Sequence, residues 1–94
     1  MGERIARLSA LLHQAAETHH QVFAITDGDD PDWATWYADW LVNLSRLSDL
    51  VGTKPPRSEV TYELVRLDKE YAETGSTEAW EDFDAVRLMQ HFRA

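Results

Sequence analysis

The stretch DGDDPDWATWYADW, residues 27–40, sets five aspartates, three tryptophans and one tyrosine within fourteen positions. Carboxylates at that density hold metal cations, and indole and phenol faces attract organic cations through the negative face of the ring. The first reading is a calcium-type oxygen cage on Asp27, Asp29, Asp30 and Asp32. It fails the EF-hand register: counting from Asp27, Pro31 stands where the third oxygen ligand belongs and Asp32 where the sharp turn needs glycine. A looser carboxylate site remains, against the plainer reading of a solvated turn with a helix cap. The second reading is an aromatic cage for a small organic cation, built from Trp33, Trp36, Tyr37 and Trp40 beside the aspartates. Its plain alternative is a helix core, because the same face continues into Leu41, Leu44 and Leu47.

Histidines supply the other candidate chemistry. His13, Glu17 and His20 follow an i, i+4, i+7 course on one flank of a helix, and Glu17-x-x-His20 is the repeating element of carboxylate-bridged di-iron bundles. Such a centre needs a second element, and the late His91 is preceded by Leu88 where a glutamate belongs. The three residues are weak metal candidates; an exposed polar shoulder explains them as well, and no cofactor is implied. His19 falls on the apolar side of the same helix. A buried imidazole must satisfy its ring nitrogens, and the polar groups on the facing side of the next helix are Asp39 and Asn43. A contact of His19 with one or both is expected, either as general acid–base machinery or as a lock on helix register. No nucleophile accompanies it: the chain has no cysteine, no Gly-x-Ser-x-Gly and no phosphate-cradling glycine loop.

The elements that position these residues follow from punctuation. Apolar residues recur at helical spacing from Ile5 to Phe23, then TDGDD interrupts. Asp30 suits an N-cap and Pro31 the first helical position; Gly52 suits the end of that second helix. Ser58 suits the cap of a third helix that Gly75 closes, and Ser76 or Thr77 begins a fourth with acidic residues early and arginines late. Helices are thus expected over about residues 3–26, 31–51, 59–74 and 78–93. No strand signal occurs. The expected fold is all-α, a single small bundle of three to four helices whose first two form an antiparallel hairpin. Ile5, Leu8, Leu11, Leu12, Ala15, Ala16, Val22 and Phe23 should face inward from the first helix, and Trp33 through Val51 form a wide apolar surface on the second. The fourth is apolar on two sides, Trp80, Phe83 and Val86 against Leu88 and Phe92, which means burial between neighbours or a face for a second subunit.

Composition narrows the function classes. A net charge of −8 with no basic stripe argues against nucleic acid and anionic membrane surfaces. No apolar run reaches the roughly 18 residues of a membrane span, and the amphipathic start does not read as a signal peptide. With no cysteine for disulfides, a cytoplasmic protein is expected.

The segment from residue 13 to 42 resembles short, uncharacterised bacterial helical proteins that pair a histidine-containing first helix with an Asp-Trp-x-x-Trp-Tyr-Ala-x-aromatic second helix. His19, His20, Asp32, Trp33, Trp36, Tyr37, Ala38 and Trp40 carry the likeness. It implies a two-helix unit and transfers no activity.

Two functions are carried forward. The favoured one is a helical interaction or scaffold protein that self-associates as a homodimer or binds another protein, with the His19 contact structural and no enzymatic activity. The alternative is a small-ligand or enzymatic module whose pocket lies between helices 1 and 2, lined by His19, Trp33, Trp36, Tyr37, Asp39, Trp40 and Asn43.

Overall fold

Leu8, Leu12, Ala15 and His19 recur at i, i+4, i+7 and i+11, and this buried stripe makes the first segment a helix, α1 (Gly2–Val22). The structure, a computed structural model, describes residues 2–93. After α1 the chain tightens into a 3-10 turn over Ala24–Thr26. Four further α-helices follow: α2 (Trp33–Leu44), α3 (Leu47–Val51), α4 (Arg57–Thr74) and α5 (Trp80–Phe92). The described residues contain no strand.

Three boundaries differ from the sequence expectation, each for a local reason. The first helix stops at Val22 instead of 26. Asp27 and Gly28 both take the left-handed conformation (φ 57° and 85°), and the Gly28 N–H donates back to the Phe23 carbonyl at 2.8 Å. Asp30 does not cap α2. Its Oδ1 accepts the Asp32 N–H at 3.0 Å in a local turn, Asp32 takes the cap position, and Pro31 stays outside the helix. The expected helix over residues 31–51 is two helices, which makes five α-helices among the described residues. Ser45 breaks it: the hydroxyl donates to the Leu41 carbonyl at 2.6 Å and accepts the Leu47 N–H at 3.1 Å, while Ser45 itself is extended (φ −119°, ψ 179°). The hydroxyl thus satisfies a backbone group on each side of the break, an alternative to the helix's own ladder. The break turns Leu44 outward, 71% exposed, and turns Leu47, Leu50 and Val51 into the core. Val22, expected inside, is also exposed, since the helix ends beside it.

Smaller offsets occur at the later helices. Pro56, extended after Pro55, precedes α4 in place of Ser58, and its carbonyl accepts the Glu59 and Val60 N–H groups. Ser76 receives the Glu78 N–H, so α5 begins at Trp80. The Tyr71 hydroxyl donates to the Glu78 carbonyl and ties this linker to α4.

The core is continuous, with Leu8, Leu12, Leu41, Leu47, Leu64, Leu67 and Leu88 all essentially inaccessible. The first helix packs most extensively on α5, and α2 on α4; α1 and α2 also touch, over a smaller surface. The radius of gyration, 12.7 Å, matches the roughly 12 Å of a compact chain of this length. The two-sided apolar character of α5 is accounted for within the chain: Phe83, Ala85, Leu88, Met89 and Phe92 are buried where α5 lies against α1 and α4.

Candidate functional site

His19 is buried in the last turn of α1, as its place on the apolar face requires, but its partner is Asp30 and not Asp39 or Asn43. Nε2 lies 3.0 Å from Asp30 Oδ2, with the two side chains only 8% and 10% exposed. The ring stacks on Phe23 (centroids 4.6 Å apart) and meets Trp36 edge-on at 5.0 Å and Tyr37 at 5.2 Å. Asp39 instead accepts from Asn43, one turn on, at 3.0 Å and pairs with Arg57 at 3.4 Å, half-exposed beside the start of α4. The correction has a simple cause. The chain between α1 and α2 is held as a compact turn, and the turn's own aspartate reaches His19 before any residue of α2 can. Asp30 thus serves two partners, the imidazole with one oxygen and the Asp32 amide with the other.

The second face of the aromatic cluster opens onto a cleft. Trp33 and Tyr37 from α2, Asp68 from α4, and Trp80 and Asp84 from α5 line a space of about 250 Å³. Trp33 and Tyr37 meet edge to face at 5.8 Å, and Tyr37 meets Trp80 at 6.3 Å. The periodicity of α2 explains the wall: Trp33 and Tyr37 are one turn apart, so both rings leave the helix on one side. Trp36, rotated by about 100° from Tyr37, joins His19 instead. Trp40 packs on the core. Of the sequence candidates, then, the cleft gathers Trp33 and Tyr37, while His19, Trp36, Asp39, Trp40 and Asn43 lie elsewhere.

Asp84 is the unusual member. It is 4% exposed, and no described residue gives its carboxyl a hydrogen bond or ion pair. Among the described residues no fully enclosed side-chain oxygen or nitrogen lacks a partner. The Asp84 oxygens therefore keep a narrow opening, and the cleft that Asp84 lines is where it lies. Burial, reinforced by the Asp68 charge, pushes the carboxyl up to about 7, against the opposing charge of the Arg87 guanidinium. Arg87 is engaged elsewhere, over the Phe83 ring at 3.5 Å, with Glu70 and with the Phe83 carbonyl. Burial, with the Glu81 charge behind it, also raises the Tyr37 phenol.

Asp68, Trp80 and Asp84 are not among the site residues expected from the sequence, where Trp80 counts only as part of an apolar face, although the sequence carries a signal for Asp84. Trp80, Asp84 and Leu88 stand at i, i+4 and i+8, so a carboxylate interrupts an apolar stripe just as His19 interrupts that of α1. The metal candidates are not assembled: His13 Nδ1 is 3.0 Å from Glu81 and its Nε2 3.5 Å from Glu17, while His20 lies against Gly28. The Glu81 hydrogen bond, with Glu17 nearby, raises the His13 pKa. Among the described residues no three histidine or carboxylate side chains converge on a metal position, the aspartates of 27–32 included. Nor is any described helix long and apolar enough to cross a membrane. No protein-family model, curated protein sequence or solved structure matches this chain.

Proposed function

We propose that the protein is a small-ligand-binding module whose cleft between α2, α4 and α5 takes an organic cation. One observation carries the reading: a buried carboxyl, Asp84, to which no described residue gives a hydrogen bond or ion pair, lines a cleft walled by Trp33, Tyr37 and Trp80. Ring faces attract a cation by roughly 0.5–1 kcal/mol at exposed sites and about 2 kcal/mol when water is excluded, and a buried carboxylate supplies the counter-charge. The volume, about 250 Å³, suits a small amine better than a nucleotide or a peptide. The net charge of −8 steers cations toward the surface as a whole. In this reading the module works in the cytoplasm without catalysis. Its first two helices act as an antiparallel hairpin that presents Trp33 and Tyr37, the unit also suggested by the likeness to short bacterial helical proteins.

Tryptophan fluorescence tests it directly. Titration with tetramethylammonium and with phenethylamine should give saturable changes in the millimolar range or tighter, whereas acetate should give none. Flat titrations with both cations, checked by calorimetry, would remove the proposal.

Self-association as a homodimer is a second reading, supported by Tyr62 and Val65, 66% and 51% exposed one turn apart on the outer face of α4. Tyr62→Lys should then shift sedimentation from dimer toward monomer. A parent protein that sediments as a monomer at millimolar concentration rules the dimer out.

A further inference from the structure

The cation reading leaves open which cations the cleft prefers, and the lining groups decide between them. Aromatic walls alone accept a quaternary ammonium as readily as a protonated amine, because the attraction is to charge and needs no N–H. A buried carboxylate imposes a further condition. Its oxygens have given up water, and a desolvated acceptor left without a donor costs free energy. No described residue gives the Asp84 carboxyl a hydrogen bond or ion pair. Arg87, the cation nearest in the sequence, directs its guanidinium to Glu70 and to the Phe83 carbonyl.

Resting on the cation reading, we infer that the cleft selects a protonated primary or secondary amine, whose N–H groups hydrogen-bond Asp84 and whose carbon skeleton lies against Trp33, Tyr37 and Trp80. Asp68, more exposed and on the same cleft, offers a second acceptor to an ammonium that already fills the first. A trimethylammonium group has no hydrogen to donate. Its methyl groups also hold the charge away from the carboxylate and leave both oxygens unsatisfied.

Protonation gives the selection a measurable signature. The charged and titratable groups around Asp84 are Asp68 and Glu70 from α4, Glu81 and Arg87 from α5, and the Tyr37 phenol from α2. Burial is the main cause, and with the acidic neighbours, Asp68 first, it holds the Asp84 carboxyl at about 7 against the opposing Arg87 charge. An ammonium binds the ionised form, so its arrival at pH 6.5 displaces the proton that part of the population holds. At pH 8.5 little is left to displace. The balance is simple: the amine arrives as R–NH3+, the Asp84 O–H proton leaves to buffer, and no covalent bond is made.

The test is calorimetric titration of the full chain at pH 8 with phenethylamine and with its N,N,N-trimethyl derivative. The primary amine should bind about 10-fold tighter or more, the range of a hydrogen bond to a charged group. At pH 6.5, paired buffers of different ionisation enthalpy should show fractional proton release with the amine. Asp84→Asn should abolish both the preference and the release, with circular dichroism confirming the fold. Asp68→Asn should change the preference by less than about 3-fold, as expected for an exposed charge. If the trimethyl derivative binds as tightly as the amine, the selectivity is refuted while cation binding stands. If neither binds, both proposals fall. A preference that survives Asp84→Asn would move the donor contact to another residue and overturn the assignment.

Discussion

Asp84→Asn is expected to stabilise the protein by about 2–4 kcal/mol at pH 8 and to leave it nearly unchanged at pH 4. The carboxyl titrates at 3.8 in an ordinary setting and at about 7 in the fold. Between those values the folded chain holds a proton that the unfolded chain has released. Stability therefore falls as pH rises from about 4 to 7, and the whole loss is present above 7. A gap of about three units corresponds to roughly 4 kcal/mol as an upper value. Asparagine has the same shape and no charge to desolvate, so it removes this loss wherever the native carboxyl is ionised. For a chain of this size the melting temperature at pH 8 should rise by about 10 °C or more. Urea unfolding at the two pH values decides the matter: an equal effect at both, or a loss at pH 8, would mean that the carboxyl is comfortable where it is. A residue that destabilises its own fold by this much marks a site shaped for something other than stability.

The same residue shows where the sequence is legible and where it is not. The five α-helices of the described residues sit on apolar stripes visible in the sequence, and those residues hold no strand, in keeping with the lack of strand signals. What the stripes do not specify is the competition between side chain and backbone. Ser45 looks like an ordinary surface serine in a continuous apolar run, yet its hydroxyl takes two backbone partners and splits the helix. Leu44, central to the expected stripe, is exposed as a result. Asp30 is a comparable case. Its type and place beside proline fit a helix cap, but the cap geometry lost to a tighter turn that also supplies His19 with a partner.

The candidate cleft was half legible. Trp33 and Tyr37 are conspicuous, and their spacing places them on one side of α2. Their opposite wall comes from residues some 30 to 50 positions away in the chain, and no periodicity within α2 identifies it. Adjacency in sequence suggests a pocket between the first two helices. In the fold, α2 packs most extensively on α4 and α1 on α5, and the aromatic cleft lies among α2, α4 and α5. Sequence neighbours are thus not the main packing neighbours here. The buried carboxylate follows the rule that picked out His19, a polar residue inside an apolar stripe, and applying it to α5 would have named Asp84.

Loss of the His19 imidazole should have the largest destabilising effect of any single polar substitution. His19→Ala removes the partner of a carboxylate that is 10% exposed, and stranding one member of a buried pair costs about 3–5 kcal/mol. His19→Leu refills the space among Phe23, Trp36 and Tyr37 but leaves Asp30 equally stranded, so it should recover little. Adding Asp30→Asn to His19→Leu removes the uncompensated charge while keeping an oxygen for the Asp32 amide. That pair should regain more than half of the loss, with a coupling of about 1–3 kcal/mol in a double-mutant cycle. Simple additivity would show that the imidazole acts as filler and not as the partner of Asp30. The cycle also separates architecture from binding, because Tyr37 touches His19 on one side and the cleft on the other. If the doubly substituted protein recovers its stability and still binds phenethylamine normally, the His19–Asp30 pair is a lock on the turn and the cleft is independent of it. If stability returns while affinity does not, the imidazole sets the angle at which Tyr37 faces the ligand.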